Sequence, residues 1–196
     1  AGNKARNDVE SIVKSQGFKA LILSVDNWYE MSTAKAQIHK AKAFSHSLNQ
    51  LNEGDELLIQ FPLLHHSFFT TSLVKKVKRR GVKIYFIIHD LDALRFMNGQ
   101  AVPLKHRIRM KIQESGLLVA ADGIIAHNPV MKSVLVEKGI SEDKIVSLGI
   151  FDYLIPDFQE KSGLTKDQPI IVAGNLAQEK AGYLYSLPAE PTYNLY

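Results

Sequence analysis

The 196-residue chain contains no cysteine. That absence removes disulfides, thiolate metal ligands and cysteine nucleophiles together, and it agrees with a reducing compartment. Long apolar runs are missing too. Stretches such as Gly116 to Ala121 fall far below the roughly 20 residues that cross a bilayer. The opening Ala1-Gly2-Asn3-Lys4 lacks the charged-then-apolar pattern of a secretory signal, so a cytoplasmic location is expected. No Gly-x-Gly-x-x-Gly, Gly-x4-Gly-Lys-Ser/Thr or Gly-x-Ser-x-Gly pattern occurs, which withdraws the main support for dehydrogenase, P-loop and serine-hydrolase chemistry. Charge of one sign is scarce: 24 basic against 20 acidic residues leave +4 with histidine neutral. An isoelectric point of about 9.1 is too weak alone to argue for nucleic acid, and it leaves anionic small molecules and membrane surfaces open.

What is present is an ordinary globular composition, 45% hydrophobic and 22% charged, enough for a real core. Short apolar or β-branched runs bounded by turn residues predict strands at Ala20 to Val25, Glu56 to Phe61, Val82 to Ile88, Gly123 to Ala126, Lys144 to Leu148 and Ile170 to Ala173. Most are apolar at nearly every position, as in parallel strands covered on both faces. Helical spacing falls between them: Val9, Ile12 and Val13; Ala34 to Leu51; Leu73, Val74 and Val77; Ile108 and Ile112; Val130, Val134 and Leu135. Strand and helix alternate, which predicts an α/β fold with a Rossmann-like, doubly wound parallel sheet and helices on both faces.

Punctuation supports these boundaries. Asn128-Pro129 supplies an N-cap and a first-turn proline, while Lys138-Gly139 and Arg79-Arg80-Gly81 give a cation and a glycine stop. The chain opens directly into a helix, and Tyr193-Asn194-Leu195-Tyr196 reads as the start of a strand. The expected organisation is one α/β domain over residues 1–155, lacking a first strand, a linker over 156–168, and the incomplete opening of a second domain over 169–196.

In open parallel sheets ligands bind beyond the carboxyl ends of the strands. There the chain places Asp26-Asn27-Trp28-Tyr29, Pro62 with His65 and His66, His89-Asp90, His127-Asn128 and Phe151-Asp152-Tyr153. Four of the seven histidines fall on this edge. Polar strand-to-helix loops also arise for purely structural reasons, since Asp and Asn cap the helix that follows. His89-Asp90 is the sharpest feature: it follows a buried-looking strand and could hold a general base or a donor facing the crevice, with Arg95 a turn further on to meet a negative group. The structural alternative has Asp90 capping and Arg95 pairing with Asp92.

Other signals are weaker. Asp90-Leu91-Asp92 matches a short metal-diphosphate pattern that chance often produces, and the spacings of His65-His66 and of His39 to His46 do not suit zinc, so no metal is predicted. Asn128-Pro129 could seat an anion at a helix start or merely cap its own helix. Lys75-Lys76-Val77-Lys78-Arg79-Arg80 ends a helix, where cations complement the dipole. The denser Lys105-His106-Arg107-Ile108-Arg109-Met110-Lys111 is either a solvated helix face or a contact for an anionic membrane surface or acceptor. Val172-Ala173-Gly174-Asn175-Leu176 followed by Lys180-Ala181-Gly182-Tyr183-Leu184 is a strand, a tight turn and a helix with one cation, an arrangement suited to a diphosphate.

In order along the chain, Gly2-Asn3-Lys4-Ala5, Gly17-Phe18-Lys19, Gln60-Phe61-Pro62, His89-Asp90-Leu91 with Leu94-Arg95, Ala121 to Asn128, and Ala173-Gly174-Asn175-Leu176 with Lys180 to Leu184 resemble the bacterial sugar transferases that group galactofuranosyltransferases with the glucosyltransferases extending glycans on serine-rich adhesins. The resemblance covers nearly the whole chain and is carried by the order and spacing of short motifs. It implies a GT-B architecture of two Rossmann-like domains, acceptor site mostly on the first and nucleotide-sugar site mostly on the second, with no obligatory metal and no cofactor beyond a sugar diphosphonucleotide, expected to be UDP-linked. By position it implies Gly2 and Asn3 in a first-domain loop, His89, Asp90 and Arg95 on the crevice floor, and Gly174, Asn175 and Lys180 at the donor diphosphate. By this resemblance most of the second domain would lie beyond the given sequence, and with it the nucleotide-base contacts.

The resulting expectation is the acceptor-side domain of a hexosyltransferase acting in cell-surface polysaccharide or glycoprotein synthesis, with galactofuranose or glucose as the sugar. An inverting reaction needs a base on the acceptor hydroxyl; Asp90 is the first candidate, His89 and His127 the alternatives. Gly2, Asn3, Arg95 and Asn128 are expected to bind the acceptor, and Gly174, Asn175 and Lys180 the donor. The partners would be a sugar nucleotide and a glycan or glycoprotein, with no nucleic acid; peripheral contact with the inner membrane face and homo-oligomerisation stay open. The rival reading is a non-catalytic module that binds a glycan or a partner in the same crevice.

Overall fold

The structure is a computed structural model that describes residues 4–21, 23, 31–63, 66–95, 102–109, 115–149, 154, 170–172, 176–188 and 193–195. The chain divides into two compact units, Ala1–Leu154 and Ile155–Tyr196.

The first unit opens with helix α1 (Lys4–Ser15) and helix α2 (Thr33–Leu48), followed by strand β1 (Glu56–Phe61). Helix α3 (Thr70–Arg79) leads into β2 (Lys83–Ile88). Short helices α4 (Asp92–Arg95), α5 (Leu104–Arg109) and α6 (Gly116–Leu118) precede β3 (Gly123–Ala126), and α7 (Pro129–Glu137) precedes β4 (Ile145–Ser147). The four strands form one sheet in the order β1-β2-β3-β4, each neighbouring pair parallel. Parallel neighbours require crossovers, and the helices between the strands supply them. Of the strand expected over Ala20 to Val25, the described residues Ala20, Leu21 and Leu23 lie outside regular structure, and the others are outside the described residues.

Register assigns the two faces. Glu56 to Phe61 pair in step with Lys83 to Ile88, and Phe86 pairs with Ile124, which pairs with Ile145. Side chains alternate along a strand, so Ile59, Phe61, Ile84, Phe86, Ile88, Ile124, Ala126 and Ile145 share one face. All are buried, and they pack with Phe44 and Leu48 of α2, Val74 and Val77 of α3, Leu117 and Leu118 of α6 and Met131, Val134 and Leu135 of α7 in one core. Phe61 and Phe86 meet edge to face, their centroids 6.4 Å apart. Each large aliphatic or aromatic side chain sealed here contributes roughly 1.5–3 kcal/mol. The opposite face carries Leu58, Gln60, Tyr85, Ile87, Ile125 and Val146. Only Ile87 among them is buried, and Val146 is 61% exposed. Helix α1 meets this second face, where the Gln60 amide donates to the Arg6 carbonyl at 3.2 Å.

The helix ends follow from local chemistry. Asn128 is extended (φ −150°) and its Oδ1 accepts from Met131 N–H at 2.8 Å, with Pro129 in the first turn. Gly81 (φ +88°) and Gly139 (φ +86°) stop α3 and α7 in the left-handed conformation. Asp122 extends the sheet at the entrance to β3: its N–H donates to Ile84 O at 2.7 Å, and its Oδ2 accepts from Ile84 N–H at 2.8 Å. Lys78 Nζ reaches both Asp122 Oδ1 (2.7 Å) and Ala120 O (2.8 Å), tying α3 to the same corner.

In the second unit β5 (Ile170–Val172) and β6 (Tyr193–Leu195) pair in parallel, with α8 (Gln178–Ala181) and a 3-10 turn (Gly182–Ser186) between them. This is a strand-helix-strand crossover. The linker expected over 156–168 lies outside the described residues.

Candidate functional site

Two residues past each of Ile87 and Ile125, the chain places His89 and His127 on the same side of the sheet as Gln60, at the carboxyl ends of β2 and β3. His89 N–H donates to Phe61 O at 2.8 Å, so the ladder between β1 and β2 continues through this residue and fixes its backbone. The two imidazoles meet edge to face with centroids 5.9 Å apart and planes at 64°. His89 Nε2 lies 2.7 Å from Gln60 Oε1.

Arg6 of α1 closes the arrangement. Its guanidinium donates to Pro62 O at 2.6 Å and, more weakly, to Gln60 O at 3.4 Å, while Gln60 Nε2 donates back to the Arg6 carbonyl. Pro62 follows the end of β1 through a cis peptide bond. Helix α1 is itself anchored at its start: Asp8, buried at 5% exposure, accepts from Lys4 Nζ at 2.7 Å and from Leu154 N–H at 3.0 Å. Groups from α1, from β1 and from the ends of β2 and β3 therefore meet at this rim.

Its electrostatics favour neutral rings. Burial, then the Arg6 charge, then the neighbouring His127 lower the His89 pKa from 6.5 to about 4. Burial lowers that of His127 as well. Burial also lowers the Arg6 pKa, yet a guanidinium stays charged at any ordinary pH. His89 Nδ1 is buried and has no hydrogen-bond partner among the described residues. Leaving a buried polar atom unsatisfied costs about 1–3 kcal/mol, so this nitrogen is the ring position with hydrogen-bonding capacity to spare.

The expected site residues fall into three groups. His89 and His127 are brought together, Asp90 follows His89 and is half-buried, and Asn128 stands beside His127 with its carbonyl oxygen committed to the α7 cap. Arg95 is the last residue of α4, and Lys180 lies within α8 of the second unit. Gly2, Asn3, Gly174 and Asn175 lie outside the described residues. Asp92 is buried at 2% exposure at the start of α4. Among the described residues no three His, Asp or Glu side chains group as metal ligands.

Sequence reasoning passed over Arg6 and the role of Gln60. Gln60 did leave a signal, a polar residue inside the apolar run Leu57-Leu58-Ile59-Gln60-Phe61. A polar side chain in a covered strand needs a partner. Arg6 left none, because the 54 residues separating it from Gln60 hide the contact.

An all-parallel sheet flanked by helices, with polar side chains gathered beyond its carboxyl ends, defines a Rossmann-like α/β domain of the kind glycosyltransferases use. Residues 1–150 match the family described as Glucosyltransferase 3-like, N-terminal domain, and the chain belongs to that family. It is also 29% identical over 187 residues to the beta-1,6-galactofuranosyltransferase WbbI of Escherichia coli (strain K12), an alignment covering 95% of this chain and 51% of that protein. The chain thus spans about half the length of this relative.

Proposed function

We propose that this chain is the acceptor-side domain, with the opening of the donor domain, of a GT-B glycosyltransferase that moves a hexose from a nucleotide-diphosphate sugar to a hydroxyl of a glycan or glycoprotein acceptor. Galactofuranose or glucose is the sugar and UDP the carrier, in cell-surface polysaccharide synthesis. The observation that carries the reading is the meeting of His89 and His127 on one rim of a parallel sheet within a domain of this family.

The chemistry asks for a group that takes the acceptor proton as the hydroxyl oxygen attacks the anomeric carbon and the carbon–oxygen bond to the diphosphate breaks. The bonding pair leaves with the diphosphate. His89 is one candidate for the base: its ring is uncharged at neutral pH, a pKa of about 4 gives it the basicity of a carboxylate, and its buried Nδ1 would have to be uncovered by the incoming acceptor. Asp90, the next residue, is the second candidate. Asn128 keeps its amide N–H groups for an acceptor oxygen, Gly2, Asn3 and Arg95 would complete that side, and Gly174, Asn175 and Lys180 would meet the departing diphosphate. Exposed Leu104 (69%) and Ile108 (44%), four residues apart on basic α5, add a peripheral contact with an anionic membrane surface.

The test is transfer by the intact protein, using UDP-galactofuranose and UDP-glucose with a panel of glycan acceptors. His89→Gln should lower turnover by about 100-fold or more, the range of general-base loss, with donor binding little changed. If Asp90→Asn produces that loss and His89→Gln does not, the base is Asp90. No transfer with any donor would leave the binding-module reading in its place.

A further inference from the structure

We infer that Gln60 is a positioning residue that fixes the proton of the His89 imidazole on Nε2, so that the buried Nδ1 is left as a bare acceptor. The inference rests on the glycosyltransferase reading only for its consequence in turnover; the tautomer itself follows from hydrogen-bond bookkeeping.

The carbonyl of Arg6 can only accept, so the Gln60 atom facing it at 3.2 Å must be the amide nitrogen. That sets the orientation of the amide and turns Oε1 toward His89. Oε1 can only accept as well, so His89 Nε2, 2.7 Å away, must carry a hydrogen. In a neutral imidazole the other nitrogen then has none, and Nδ1 is the buried atom left without a partner among the described residues. The Arg6 guanidinium locks the far end of the network by holding the carbonyls of Gln60 and Pro62. The arrangement is thus reciprocal: α1 grips the end of β1 through its cation, and β1 grips α1 through the Gln60 amide.

The charged and titratable groups facing the ring bear on its protonation. Arg6 on α1 and His127 after β3 both disfavour a proton there, and Asp90 is the adjacent carboxylate in the chain. Gln60 contributes orientation without charge. Replacing it by glutamate keeps an acceptor near Nε2 but adds a negative charge beside the ring, which favours the imidazolium. A protonated ring has no lone pair on Nδ1, and the proposed acceptor proton then has nowhere to go.

The experiment uses the protein with nitrogen-15-labelled histidine. Long-range proton–nitrogen correlation spectra at neutral pH should show His89 as the Nε2–H tautomer. Gln60→Leu should abolish that single-tautomer signature, and Gln60→Glu should raise the His89 titration midpoint by about one to three pH units. With transfer activity measured in parallel, Gln60→Glu should move the acid limb of the turnover profile upward by the same amount while the donor KM stays unchanged. A Nδ1–H tautomer in the unmodified protein overturns the inference, as does a Gln60→Leu variant, folded by circular dichroism, that retains the original tautomer. If the spectra behave as expected but turnover is indifferent to both variants, the positioning stands and His89 is not the base.

Discussion

Substituting His89 by glutamine should change how the protein's stability responds to acid. The folded state holds this ring at a pKa of about 4 against 6.5 in an open chain. Above 6.5 the ring is neutral in both states and contributes nothing to the pH dependence. Below it the unfolded chain binds a proton that the folded ring refuses, so stability falls as pH drops from 6.5 to about 4 and then levels off. At 1.36 kcal/mol per pH unit the difference amounts to about 3 kcal/mol, and solvent screening at a half-buried ring brings it to about 2 kcal/mol. Urea unfolding of the original protein and of His89→Gln, followed by far-ultraviolet circular dichroism, gives stability differences from about pH 7.5 to about pH 4.5. The advantage of the original protein over the variant should shrink by about 2 kcal/mol across that window. His127 is shifted in the same direction by burial, but it is present in both proteins and largely cancels. Asp122, whose pKa lies below 3.8 because the Lys78 hydrogen bond and the Ile84 N–H outweigh desolvation, loses its contribution only at lower pH. A difference that is flat, or that grows on acidification, would refute the account of His89 as a ring kept neutral by burial and by Arg6.

Three further outcomes are expected. At Gly123 an added Cβ would stand 2.9 Å from Cδ1 and 3.1 Å from Cε1 of the Tyr85 ring, so Gly123→Ala should cost about 1–3 kcal/mol, and Tyr85→Ala in the same chain should recover part of it; additive costs in thermal unfolding would contradict the contact. Asp122→Ala should cost about 1–3 kcal/mol in urea unfolding because it strands the Ile84 N–H at the sheet corner, and Asp122→Asn, which keeps an acceptor, should cost less; equal losses would mean the Lys78 pair, not the backbone bond, matters. Flotation with anionic vesicles at low salt should capture the protein, weaken as salt rises, and fail for the Leu104→Asp, Ile108→Asp double variant; no capture of the original protein would remove the membrane contact.

The parts of the fold legible in the sequence are those set by neighbours along the chain. Glu56 to Phe61 and Gly123 to Ala126 have their expected ends because apolar runs stop there at turn residues. The predicted strand Lys144 to Leu148 is shorter, Ile145–Ser147, since Lys144 closes a 3-10 turn by donating its N–H to Ser141 O at 3.1 Å. Helix α2 ends at Leu48 rather than Leu51, where Gln50 and Leu51 take up tighter bonds to Ser47 and Leu48. His89 and His127 are legible for the same reason as the strands: a residue just past a parallel strand faces the ligand edge, whatever lies elsewhere.

What the sequence withholds is polarity. A histidine at a strand end can be a cation, a donor or an acceptor, and no feature of Ile87-Ile88-His89-Asp90 chooses among them. The choice is made by an amide on the neighbouring strand, and the amide is oriented by a carbonyl on a helix 54 residues earlier. Each link is an ordinary hydrogen bond, worth about 1 kcal/mol alone. Acting in series they decide which nitrogen of one ring holds the proton, and the burial of that ring turns a small preference into a fixed chemical identity. A rim of this kind is therefore specified less by the residues that face the substrate than by the ones behind them, and Arg6 and Gln60 are the positions where substitution should alter the chemistry of His89 while leaving the imidazole itself in place.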